Sequence, residues 1–158
     1  MKKIMSLGFV LLLLTFMIIP DISSAQDKDN SSLLKSPPPA PYADVSKALN
    51  GALPDFVPGL GTLYVDTSKL PEGPFLAYDK SGNLIKIVFM IPLEKLNSQN
   101  NYLNQAENVL NKIGNKKVDH VNFIYSGPHP GVSATHYHIE LVLVSAAAEK
   151  EALGKDLY

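Results

Sequence analysis

The chain has 158 residues, 14 basic and 15 acidic, for a formal charge of −1, and it contains neither cysteine nor tryptophan. Without cysteine there can be no disulfide framework, thiolate nucleophile or lipidated cysteine. The even charge balance, with no run of either sign, argues against nucleic acid and anionic membrane surfaces as partners.

The N-terminus opens MKKIMSLGFVLLLLTFMIIPDISSAQ. Lys2 and Lys3 form a positive n-region, an apolar run follows from Ile4 to Ile19, and SSA places small residues before Gln26. This is the pattern of a secretory signal peptide over residues 1–25, cleaved after Ala25. The run is shorter than the roughly 20 residues that span a bilayer. The sequence therefore predicts a secreted, extracytoplasmic protein of the cell envelope, with no membrane insertion after signal cleavage. Residues 26–43, QDKDNSSLLKSPPPAPYA, are polar and then proline-rich, which predicts a flexible linker. Asn30 within it fits a glycosylation sequon. Residues 44–158 are enough for one domain with one core.

Along that domain, ADVSKALNGALPDF predicts a short helix or turn ended by Gly51 and Pro54. GTLYVD (61–66) favours a strand. PFLAYDKSGNLIKIVFMIP predicts a hairpin, with strands near 74–79 and 84–91 and a turn at Lys80 to Asn83. Its second strand is apolar almost throughout, which predicts a central strand covered on both faces. In PLEKLNSQNNYLNQAENVLNKIGNKK, Leu103, Ala106, Val109, Leu110 and Ile113 recur at helical spacing, with Gly114 as a C-cap. VDHVNFIY (118–125) and HYHIELVLV (136–144) predict two strands joined by a loop. Ser145 caps a final helix, AAAEKEAL, closed by Gly154. The fold class expected is α+β: a single domain with a mainly antiparallel sheet and two or three helices.

All four histidines lie between positions 120 and 138. Side chains alternate across a strand, so His136, His138 and Glu140 share one face, and Tyr137, Ile139, Leu141 and Leu143 share the other. His120 and Asn122 likewise oppose Val121, Phe123 and Tyr125. Antiparallel pairing that sets His120 opposite Glu140 and Asn122 opposite His138 would give one greasy face toward the core and one imidazole-bearing face. Opposed residues have Cβ atoms about 4.5–5.5 Å apart. His-x-His plus an imidazole from the next strand can thus surround a divalent ion, with a carboxylate as fourth ligand or as outer acceptor. The candidate ligands are His120, His136, His138 and Glu140. His129, in the turn-rich loop GPHPGV, is an outlying candidate able to swing over that face. Zinc suits these donors, as does another divalent transition metal. The alternatives are a metal-dependent hydrolase with Glu140 as general base, and an assembly protein whose histidines are incidental. No GxSxG, HExxH or phosphate-binding glycine loop marks an enzyme.

VDHVNFIYSGPHPGV and THYHIELVLVSAAAEKEAL, with VPGLGTLYVD and GPFLAYDKSGNLIKIVFMIPLEKL upstream, resemble a family of secreted domains of unknown function. One member of that family forms rings and is under sigma-E/anti-sigma-E control. The resemblance spans roughly 57–153. The family's strand motif is His-aromatic-Asp-x-His after a His-Pro-rich loop. Here His136 matches the first histidine, His138 falls at the aspartate and Glu140 at the second histidine. The resemblance implies an exported α+β protein that is a homo-oligomer, with no established activity. With the site reading, the expected function is an exported, oligomeric binding protein of the envelope that takes a divalent metal or small ligand.

Overall fold

The computed structural model describes residues 32–154. The signal segment 1–25 and Asn30 lie outside them. Among the described residues, no helix is long and apolar enough to cross a membrane.

Asp44 caps a one-turn helix: its side chain accepts the Lys47 N–H, between strand β1 (Tyr42–Asp44) and helix α1 (Val45–Ala48). Thr62–Asp66 forms β2, Phe75–Tyr78 β3 and Leu84–Pro92 β4. Asp79 closes the β3–β4 turn by accepting the Ser81 and Asn83 N–H groups, at 2.8 Å each. Helix α2 (Glu107–Leu110), strands β5 (His120–Ser126) and β6 (His136–Val142) and helix α3 (Ala146–Leu153) follow. The strands form one six-stranded antiparallel sheet in the order β1-β2-β3-β4-β6-β5. The α+β class and the antiparallel sheet are as the sequence predicts.

Every residue of β4 is buried, as its almost wholly apolar run leads one to expect, and the two faces of the sheet carry separate cores. On one face, Ile87, Phe89 and Ile91 pack with Leu76, Tyr78, Val109 and Ile113. On the other, Val88 and Met90 pack with Leu63, Val65, Phe75 and Val132. A glycine is needed where α3 meets the sheet. Gly61 has φ +87°, and a Cβ there would stand 2.3 Å from the Tyr78 carbonyl oxygen.

Three expectations are corrected. The linker expected over 26–43 is anchored in its described part. Leu33 is buried in the first core, Tyr78 Oη donates to its carbonyl at 2.9 Å, and the Ser36 N–H bonds the Gly82 carbonyl. One leucine and a strand edge offset the ordering entropy that the proline-rich composition suggested would prevail.

The helix expected between Pro92 and Lys117 is reduced to a 3-10 turn at Leu93–Lys95 and the four residues of α2. Side-chain amides divert the backbone there: Asn97 and Asn100 donate to the Glu94 and Lys95 carbonyls, and the Gln99 N–H bonds Asn97 Oδ1. Asn104 then takes φ +55° and turns Leu103 out to 74% exposure, while Val109 and Ile113 stay buried.

The third correction concerns the faces of β5 and β6. On β6 the polar set His136, His138 and Glu140 is buried, and Tyr137, Ile139 and Leu141 are only partly so. On β5, Val121, Phe123 and Tyr125 stand exposed. Helix α3 and the 127–135 loop close over the imidazole face, whereas the 93–117 segment reaches across the other face only as far as β6. Alternation is as expected; which side becomes interior depends on what the connections cover.

Candidate metal centre

β6 sets His136 and His138 on one face by simple alternation, and their rings lie with centroids 4.9 Å apart. The third imidazole comes from the loop. His129-Pro130-Gly131-Val132 is a closed turn, with the His129 and Val132 N–H groups each bonded to the other's carbonyl at 3.0 Å. Proline fixes the second position and Gly131, at φ +90°, supplies the left-handed third, the arrangement of a type II turn. The turn swings the His129 ring onto the β6 pair, 4.8 Å from His136 by centroid.

The three Nε2 atoms converge. His136 to His138 is 2.9 Å, His129 to His136 is 3.1 Å and His129 to His138 is 3.5 Å. Nitrogens held about 2.05 Å from a tetrahedral zinc would stand about 3.3 Å from one another. Tautomers matter more than distances. His129 Nδ1 lies 2.9 Å from the Pro130 carbonyl, and His136 Nδ1 lies 2.8 Å from the Ala134 carbonyl. A carbonyl only accepts, so both Nδ1 atoms carry the hydrogen. In the neutral rings the facing Nε2 atoms are then lone pairs pointed at each other, which a shared cation resolves. Carbonyl acceptors behind metal-binding imidazoles are the usual way in which ring orientation is fixed.

A proton is poorly suited to that role. Burial lowers the His136 pKa, with the neighbouring His129 adding to the effect against the Ala134 carbonyl. Burial, His136, His129 and Lys86 together push His138 down to about 3. Neutral imidazole is the ligand form, so the same burial that resists protonation keeps the donors ready for a metal. The His129, His136 and His138 cluster could hold a metal ion.

Two of the expected ligands are elsewhere. β5 and β6 do pair antiparallel, but two residues out of the expected register: Asn122 faces Glu140 and His120 faces Val142. The even step preserves the faces, and the 120 ring moves away from the cluster. His120 Nδ1 is 2.9 Å from Asp119 Oδ1, and its Nε2 is 3.4 Å from Glu149 Oε2. Glu140 is engaged as well, with its Oε2 accepting from Lys86 Nζ at 2.9 Å. That ion pair, and not the imidazole cluster, is where the Glu140 carboxylate is engaged. Lys86, buried in β4, therefore decides the role of Glu140. Its signal in the sequence is a single cation within the apolar run LIKIVFMI. His129, expected as the outlier, completes the cluster.

The fold and site define a class: an antiparallel α+β domain with a three-histidine cluster between a strand and its preceding loop. No family model matches the chain, and no curated protein does. Among solved structures, it is similar to the hypothetical protein TTHB210 from Thermus thermophilus. Identity is 62% over 66% of this chain and 96% of that one, with a TM-score of 0.59. The chain belongs to the same family as that protein.

Proposed function

We propose that this is an exported envelope protein that binds one divalent transition-metal ion through Nε2 of His129, His136 and His138. The observation that carries the reading is the set of facing Nε2 atoms on two rings whose Nδ1–H groups are already committed to carbonyls. Three protein ligands leave a fourth position for water or for a small ligand. Zinc fits the all-nitrogen set, and copper or nickel would use the same donors. The leader-like N-terminus supports export. The exposed Val121, Phe123 and Tyr125, side by side on an edge strand, support self-association into an oligomer.

The test is metal analysis of the chain purified without chelator, together with the His136→Ala variant. About one equivalent of a transition metal is expected in the parent and little in the variant. Equal metal content in the two, or none in the parent even after zinc is added, would sink the reading.

A further inference from the structure

The buried face of β6 continues past the histidines into a second polar cluster that takes no part in the metal centre. A cavity of about 580 Å³ opens there between edge strand β5 and helix α3, and none of His129, His136 or His138 lines it. At its floor, Lys86 Nζ donates to Glu140 Oε2 at 2.9 Å and to Glu149 Oε1 at 2.8 Å. Asn122 Nδ2 adds a bond of 3.3 Å to the same Glu140 oxygen. His120 closes the side beyond Glu149.

Two features point to a ligand. Glu140 is fully buried, yet its Oε1 accepts no hydrogen bond from the described residues. A buried carboxylate oxygen without a donor is costly enough that native structures seldom keep one idle. Charge is the second feature: one lysine sits between two glutamates, leaving the floor one negative charge in excess. Lys150, at the rim, is exposed to solvent and does not pair with either glutamate within salt-bridge distance. The cavity falls within the size range of small-molecule sites, and Ile124 and Ala146 give it an apolar side.

We propose that this cavity binds a small organic molecule carrying a primary ammonium group and a short apolar tail. The ammonium donates to Glu140 Oε1 and balances the floor, and the tail lies along the inner face of β5 against Ile124. The inference is independent of the metal reading, since the two sites share no lining side chain.

The full-length chain, labelled with ¹⁵N, would be titrated at pH 7 with n-butylamine, n-butanol and butyrate while its backbone amide signals are followed. Saturable shifts at Asn122, Glu140 and Glu149 are expected with n-butylamine. Binding of n-butanol should be weaker by about tenfold or more, because its hydrogen bond carries no charge, and butyrate should not bind. Glu140→Gln should weaken n-butylamine by about tenfold. If that variant does not fold, Glu149→Gln, at a position 13% exposed, should weaken it by about fivefold. Equal affinity for n-butanol, shifts confined to another face, or undiminished binding in Glu149→Gln would overturn the proposal. So would a site that responds to zinc chloride and not to n-butylamine.

Discussion

Replacing His129 by alanine removes one of three converging donors while leaving both strands and both cores in place. The residue sits in a loop and is only partly buried, so the metal-free variant should match the parent in stability within about 0.5 kcal/mol. Metal separates them. An ion present at a hundred times its dissociation constant stabilises a folded chain by at most about 2.7 kcal/mol, the limit reached where the unfolded chain does not bind it. For a domain of this size that is roughly 10 °C in melting temperature. A variant that binds a hundredfold more weakly keeps only about 0.4 kcal/mol at the same concentration, or about 2 °C. The assay is thermal unfolding of chelator-stripped chain with and without zinc chloride. An equal zinc shift in parent and His129→Ala would refute the three-histidine geometry, because the loop imidazole would then contribute nothing.

Further outcomes follow from the buried ionic groups and the exposed strand. Lys86→Met leaves Glu140 buried without its cation and should cost about 3–5 kcal/mol in urea unfolding, with much of that recovered in Lys86→Met/Glu140→Gln. A loss below about 1 kcal/mol would mean that water already solvates the carboxylate. The metal-free chain should lose stability as pH falls below about 6.5. With the folded His138 pKa near 3, the unfolded chain takes up its proton first, so the contribution is full above 6.5 and declines toward 3. The loss amounts to on the order of 2 kcal/mol at pH 5. A His138→Asn variant with the same slope in that window would contradict it. Phe123 is 68% exposed, so Phe123→Asp should leave the unfolding midpoint nearly unchanged while lowering the mass seen by light scattering. An unchanged mass would remove β5 as the surface of self-association.

Much of the sheet is legible in the sequence because it rests on local chemistry. The β3–β4 hairpin, the mostly apolar β4 run and the Ser145 and Gly154 boundaries of α3 are each specified by neighbours within a few positions. The region from 93 to 117 is less so, since its apolar spacing is genuinely helical and competing asparagine bonds act against it. For the site, alternation places His136 and His138 together, which needs no tertiary knowledge. Recruiting His129 depends on a turn closing in one particular direction. Removing His120 depends on a two-residue step in register that hydrophobic patterning cannot see, because both registers put the same side chains on the same face. The inverted interior of β5 and β6 has the same origin: pattern specifies two faces, and distant segments decide which one is covered.

His129, His136 and His138 all fall within ten consecutive positions. A stretch that short can fold back on itself at little entropic expense, so the denatured polypeptide keeps a usable chelating arm. Thermal shifts would then understate affinity, because both ends of the unfolding equilibrium hold the ion. Capture could also come before the sheet assembles, with the bound cation seeding the turn between the last two strands instead of arriving at a finished cavity.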